Sequence, residues 1–491
     1  MKKFMTVLLV TLMVFGLIGF SGVAQLQAAG EIVGITAGAE IFPVYHQISY
    51  LAIQYSEKVV APGINGYSVV DFATAKMKED YDRRPFSVAP LTAVYTNNSP
   101  AKRDDKKSVS GKYVIIELEP TKVCIFEDGW YKPNHNAGLC TWRLVGEQCE
   151  WRRIDFSDLK ITQKVDVKNA AGKVVVSAGL LPTLNAADVS TPDLDRFKNM
   201  SIKSRNGKSN IYFTFYVPKN YDPSKKYPLI FNSTGNGGRL NYKQKDAKGN
   251  LVNIGAVVSR DGVALAFSKY EPDSIIVSPQ IWRNEPKEWG VDYVDDGLYL
   301  IEYIEKNYSI DKSRVYGFSS SFGGMLVSQM MAKNASVFTA YVQCNSTWVL
   351  PGLEGGDSFI NVYNKDASKN FVGENWYSIQ KIMKEARLPK GSYEKGKEAM
   401  QDVVKNKVSV WVWHAVNDES IPFLNGYTTY ELLRELYAEK GLSAEEISKL
   451  VHVTVLDDQE YFSLGIAERH QASKVAVLHR EMFDWLFQQV K

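Results

Sequence analysis

Arg314-Val315-Tyr316-Gly317-Phe318-Ser319-Ser320-Ser321-Phe322-Gly323-Gly324-Met325 is a β-rich run that breaks at small residues and continues as a helical pattern from Met325 to Lys333. A serine at a sharp strand-to-helix turn has its Oγ pushed above the sheet. Small residues two before and two after it let strand and helix pass closely. Three adjacent serines leave the frame open. With Ser319 at the turn, Gly317 stands two before it, but Ser321 takes the later small position. With Ser321 at the turn, Gly323 and then Gly324 follow, and the only departure is Ser319 in place of glycine. We read Ser321 as the turn residue; the bland alternative is a helix N-cap, a common position for serine.

Two partners of such a serine occur downstream. Val408 to Trp413 is an apolar β-type run followed by His414-Ala415-Val416-Asn417-Asp418-Glu419-Ser420-Ile421-Pro422, a loop that offers Asp418 as an acid, with Asp457 and Asp458 as alternatives after the next strand. His470 lies between the β-like run Val451 to Leu456 and the amphipathic pattern Val475 to Val490, so it sits on a loop. His479 is its rival but falls inside the helical pattern. His414, His46 and His452 lie in strand-like runs and read as structural, and His135 is a lone imidazole in a turn-rich stretch. Upstream, the buried-strand pattern Tyr227 to Asn232 runs into Ser233-Thr234-Gly235-Asn236-Gly237-Gly238. Glycines there let backbone N–H groups face a developing oxyanion.

These elements, in the chain order serine, acid, histidine, make residues from about Asn210 to Lys491 resemble secreted α/β-hydrolase esterases related to dienelactone hydrolases and polyhydroxyalkanoate-depolymerase-like esterases. The acid loop resembles H-G-x-x-D-x-x-V-P, and the turn at Gly235 resembles H-G-x-G, with Thr234 where that family has histidine. Tyr216-Val217-Pro218-Lys219-Asn220-Tyr221, Val277-Ser278-Pro279-Gln280 and Ile310-Asp311-Lys312-Ser313-Arg314 agree in order and spacing. The resemblance implies a mostly parallel sheet flanked by helices, with Ser321 as nucleophile, Asp418 and His470 as its acid and base, and oxyanion donors at the N–H of Asn236 and of Phe322. It implies no cofactor and no metal.

At 491 residues and 45% hydrophobic, the chain is long enough for two cores. Its net charge is only +3, and no basic cluster is interleaved with aromatics, so nothing asks for nucleic acid. The mixed-sign run Lys102 to Lys107 reads as a solvated loop. Met1-Lys2-Lys3, the apolar run Phe4 to Phe20 and the small residues through Ala28-Ala29 form the three parts of a secretory signal peptide over 1–29. An uncleaved anchor is the alternative, because about 17 to 25 apolar residues can span a bilayer. Export permits a disulfide among Cys124, Cys140 and Cys149, while Cys344 sits apart in a strand-like run.

Residues 30–180 break into short alternating runs, among them Ile48 to Tyr55, Leu91 to Tyr95, Lys112 to Leu118 and Leu159 to Val167. That spacing predicts a β-sandwich, and it resembles the immunoglobulin-like domain ahead of some bacterial secreted esterases. A Cys/Trp-rich insertion interrupts it, with Trp130, Tyr131, Trp142 and Trp151 read as packing aromatics before a polymer-binding platform. Residues 181–205 read as linker and 206–491 as the catalytic domain, with an insertion at 350–407. Trp376 in that insertion, and Trp282 and Trp289 on a loop at the carboxyl ends of the strands, are candidate substrate-binding residues. The expected function is a secreted serine ester hydrolase acting on a small-molecule or polymeric ester. A prolyl-oligopeptidase-like serine peptidase and a non-catalytic binding protein are the alternatives.

Overall fold

Strand Leu159–Gln163 buries every second residue, the signature of a sheet covered on one face. In the computed structural model the described residues are 30–41, 46–71, 87–119, 124–127, 130–133, 142–145, 150–153, 159–191, 196–235, 262–280, 293–348, 390–418, 420–464, 466 and 469–491. The front half is two facing sheets. One runs in the order Val189–Ser190, Ile32–Ile41, His46–Val59, Gly111–Leu118, Leu91–Asn97. The other runs Gly179–Leu180, Leu159–Gln163, Tyr67–Asp71, Ser87–Val88. Leu51, Ile53, Val114 and Ile116 from the first meet Val69, Leu159 and Ile161 from the second in one core. Inside it Tyr67 and Tyr55 share a 2.8 Å hydroxyl contact and Tyr55 donates to Gln163 Oε1 at 2.8 Å, so the buried phenols are satisfied across the sandwich.

The charged run 102–107 is a largely exposed loop with ties to the first sheet: the Arg103 N–H donates to Tyr95 Oη at 2.8 Å, and Lys106 pairs at 3.1 Å with the buried Glu117, which also accepts from Tyr95. One expectation needs correction here. The segment 181–205 is divided between the two halves. Leu181 and Leu184 are buried in the sandwich core and Val189 pairs in parallel with Ala37, whereas Phe197–Lys203 joins the second large sheet. Its apolar residues have surface to cover on both sides, which a free linker would leave exposed.

Two hairpins, Cys124–Glu127 with Trp130–Pro133 and Trp142–Val145 with Glu150–Arg153, occupy the Cys/Trp-rich region. Cys140 and Cys149 lie outside the described residues. Cys344 is a buried free thiol, its pKa raised by burial.

The second half is an eight-stranded sheet. Its strands are β1 (Phe197–Lys203), β2 (Asn210–Tyr216), β3 (Tyr227–Ser233), β4 (Ile275–Gln280), β5 (Ile310–Ser320), β6 (Ala340–Cys344), β7 (Ser409–Ala415) and β8 (Val451–Leu456), in the spatial order 1-2-4-3-5-6-7-8. β1 and β2 pair antiparallel with their neighbours and the rest are parallel. β3 and β4 are fully buried along their length, as strands covered on both faces must be.

The helices are α1 (Val263–Tyr270), α2 (Val294–Asn307), α3 (Phe322–Asn334), α4 (Lys390–Lys405), α5 (Phe423–Glu439), α6 (Ala444–Leu450), α7 (Asp458–Ser463), α8 (Ala472–Ala476) and α9 (Arg480–Gln488). One face of the sheet packs on α2, α3, α4 and α5, the other on α1, α8 and α9. The insertion expected at 350–407 therefore ends in a core helix: Ala399, Met400, Val403 and Val404 lie on one face of α4 and are buried with Leu432 and Leu436 of α5. Residues 349–389 lie outside the described residues. Among the described residues no helix is long and apolar enough to cross a membrane.

β3 has β4 on one side and β5 on the other, so the chain reverses its direction of travel across the sheet there. The crevice at such a switch point, beyond the carboxyl ends of the strands, is where open α/β sheets bind ligands. Both the turn after β3 and the turn after β5 reach it.

Candidate active site

Ser321 is the single residue between β5 and α3, and its backbone stands at φ 53°, ψ −126°. A non-glycine residue held there costs roughly 1–3 kcal/mol and persists only where its surroundings over-determine it. Here they do. The Ser321 N–H donates to the Cys344 carbonyl at 3.1 Å, and its own carbonyl accepts from Ser346 Oγ at 2.6 Å. Gly323 is required by close approach, since an added Cβ would stand 2.1 Å from the Ser233 carbonyl oxygen at the end of β3. A Cβ on Gly324 would fall 2.0 Å from Ser346 Oγ.

Burial and partners differ among the serines of this run. Ser319 is fully buried, with its Oγ 2.5 Å from Tyr341 Oη. Ser321 Oγ is 2.7 Å from His470 Nε2. His470 Nδ1 lies 2.8 and 2.9 Å from the two carboxylate oxygens of Asp418. The Asp418 side chain is fully buried and His470 is 20% exposed, so the acid is sealed and the imidazole meets the crevice.

Asp418 Oδ1 also accepts the N–H groups of Ser420 and Ile421, both at 2.8 Å, which locks the acid loop on itself. Burial alone would raise the Asp418 pKa. Hydrogen bonds from His414 and His470, with their charge, outweigh it and hold the carboxyl down at about 2. His414, read from sequence as structural, is buried on β7 with Nε2 2.9 Å from the Ile421 carbonyl and 3.4 Å from Asp418 Oδ2. It touches the acid and not the serine.

The rival residues have other partners. Asp458 binds Arg469 at 2.7 and 3.0 Å, His479 faces Glu460 at 3.0 Å and packs on Trp413, and His452 packs between Trp411 and Trp485. Phe322 opens α3, so its backbone N–H belongs to the helix N-terminus beside Ser321, where the helix dipole favours negative charge. Gly235, after β3, runs against the other side of Ser321: a Cβ on it would meet Ser321 Cβ at 3.1 Å. Asn236, Trp282, Trp289 and Trp376 lie outside the described residues.

Sequence reading passed over Asn345 and Ser346. Asn345 is fully buried at φ 37°, with Nδ2 3.1 Å from the His470 carbonyl, 3.2 Å from Nδ1 and 3.4 Å from Nε2. The available signal was a run of polar residues, Asn345-Ser346-Thr347, directly after a wholly buried strand, opened by a residue type that tolerates the left-handed region.

Both halves of the chain are similar to known proteins. Residues 34–176 match the esterase Ig-like N-terminal domain, and residues 280–459 match the prolyl oligopeptidase family. A stretch of 161 residues, 31% of the chain, is 30% identical to a probable feruloyl esterase C of Aspergillus terreus and covers 53% of that protein, so the chain spans about half the length of this curated relative. The crystal structure of a thermostable esterase superposes with a TM-score of 0.64 at 18% identity, over 94% of this chain and 100% of the other. The superposition shows that the chain has the fold of this esterase, and the two family matches put an esterase Ig-like N-terminal domain in residues 34–176 ahead of a region, 280–459, that is similar to the prolyl oligopeptidase family.

Proposed function

We propose that the protein is a secreted serine ester hydrolase that works through an acyl-serine intermediate, with its chemistry in residues 206–491. The observation that carries the reading is the 2.7 Å contact between Ser321 Oγ and His470 Nε2 at a strained strand-to-helix turn, with His470 held from behind by Asp418. His470 Nε2 takes the Ser321 proton as Oγ bonds to the ester carbonyl carbon. The carbonyl oxygen becomes an oxyanion facing the N–H groups of Phe322 and Asn236. The C–O bond to the alcohol then breaks, and His470 returns the proton to that oxygen. Water attacks the acyl-serine by the same route, its proton passing through His470 to Ser321, and a carboxylic acid leaves. Asp418 keeps the proton on Nδ1 in the resting state and stabilises the imidazolium.

Residues 1–29 support export. Trp282, Trp289 and Trp376 are the proposed substrate-binding residues. The relative's name makes esters of aromatic acids the first class to try, beside short alkyl esters. A peptidase is the second reading, favoured by the prolyl oligopeptidase match over 280–459.

The test is hydrolysis of p-nitrophenyl acetate, butyrate and octanoate and of methyl ferulate by the chain lacking residues 1–29, beside Ser321→Ala and Ser319→Ala. Turnover lost in Ser321→Ala alone is the expected result. Turnover that survives Ser321→Ala overturns the assignment. Faster cleavage of a blocked Gly-Pro anilide than of any ester selects the peptidase.

A further inference from the structure

Four described non-glycine residues have positive φ, and two of them, Ser321 and Asn345, meet at the candidate site. Ser321 is explained by the turn. Asn345 is not, because a glycine would take the same backbone without strain. Its side chain adds a second cost, since Oδ1 is buried without a hydrogen-bond partner among the described residues. A position that keeps both costs is one where the rest of the side chain matters.

We propose that Asn345 is a positioning residue that sets the orientation of the His470 ring, an inference that rests on the serine-hydrolase reading above. Asn345 Nδ2 donates to the His470 carbonyl at 3.1 Å, and this acceptor fixes which end of the amide faces the histidine. The same nitrogen stands 3.2 Å from Nδ1 and 3.4 Å from Nε2. An atom so nearly equidistant from both would collide with the ring carbon between them if it lay in the ring plane, so it lies over the ring face. The in-plane nitrogens remain with Asp418 and Ser321, and a tilt toward the amide is blocked.

The segment around Asn345 binds the serine as well. Cys344 accepts the Ser321 N–H, Asn345 donates to His470, and Ser346 Oγ donates to the Ser321 carbonyl. The last residue of β6 and the two that follow it therefore hold both ends of the 2.7 Å serine–histidine contact. The Asn345 N–H is itself anchored on the Trp413 carbonyl at 2.8 Å, which ties the segment to β7, the strand that leads into the Asp418 loop.

Asn345→Gly separates this role from simple tolerance of the backbone, because it relieves the strain while removing the amide. The expected result is a Tm equal to or above wild type, with kcat for p-nitrophenyl butyrate and the rate of fluorophosphonate labelling at Ser321 both down at least about tenfold and KM within about twofold. The downfield proton resonance of the His470–Asp418 hydrogen bond, assigned by its loss in Asp418→Asn, should shift or broaden. Asn345→Asp keeps the shape but turns a donor into an acceptor against the His470 carbonyl, and should lose kcat similarly; it serves if the glycine variant does not fold. Wild-type kcat, labelling and resonance in either folded variant overturn the proposal while leaving the hydrolase reading intact. A wild type that hydrolyses no ester and takes no label at Ser321 overturns both.

Discussion

Ser319 Oγ lies 2.5 Å from the Tyr341 hydroxyl, with both side chains fully buried between β5 and β6. The serine that stands where an elbow glycine is expected therefore fills its space with a satisfied hydroxyl. Burial raises the Tyr341 pKa, so the phenol stays neutral and able to share the proton. Leaving one buried hydroxyl without its partner costs about 1–3 kcal/mol. Ser319→Gly and Tyr341→Phe should each destabilise by about that much, and the double variant by clearly less than their sum. Urea unfolding of the four proteins measures this; strict additivity would show that the pair is not coupled.

Gly323 has no room for a methyl group, because the neighbour at 2.1 Å is the Ser233 backbone carbonyl and not a side chain that can swing aside. Gly323→Ala should push α3 off the end of β3, cost about 1–3 kcal/mol or more, and reduce kcat by at least about tenfold by moving Ser321. Gly324→Ala meets the Ser346 side chain instead, Oγ at 2.0 Å and Cβ at 2.5 Å, so Gly324→Ala combined with Ser346→Gly should recover stability that Gly323→Ala combined with Ser346→Gly does not.

Asp418→Asn keeps the shape of the acid but allows the wrong His470 tautomer, and a loss of about 10⁴ in kcat is expected on the triad precedent. The same carboxylate contributes to stability. Its pKa is held at about 2 against an ordinary 3.8, worth roughly 2 kcal/mol. Because the folded value is the lower one, that contribution is complete above about pH 3.8 and lost as pH falls through about 2. The stability gap between wild type and Asp418→Asn should hold steady from neutral pH to about pH 4 and close over the next two units. A gap already closed at about pH 5 would mean the carboxyl is not held down.

Met400 is fully buried on α4 against the sheet and α5, so Met400→Ala should cost about 2–5 kcal/mol by cavity formation. If residues 390–405 were a peripheral cap, the change would cost less than about 1 kcal/mol and thermal unfolding would show it.

Ser321, Asp418 and His470 could be picked out from sequence because each sits at a local pattern change: strand into small residues, strand into an acid loop, loop before a terminal helix. Local chemistry announces such turns, since a polar residue between two apolar periodicities has few bland explanations. The ends of the modules were less legible. Residues 181–205 are polar and proline-bearing enough to read as linker, yet Leu181, Leu184 and the strand Phe197–Lys203 find partners far away in sequence. Helix α4 was hidden for a similar reason: its apolar face is short, and only α5 and the sheet turn it into core.

By itself, the amino-acid sequence determined the two architectures and the order of serine, acid and histidine, because periodicity and turn chemistry are properties of neighbours along the chain. Which of three serines faces His470, how His414 supports Asp418, and why Asn345 tolerates a left-handed backbone were decided only in the tertiary structure. Those facts depend on contacts across 22 residues for Ser319 and Tyr341, 125 for Asn345 and His470, and 149 for Ser321 and His470. No local preference encodes such separations; they exist only once β5, β6 and β7 lie side by side and the His470 loop folds back over their ends.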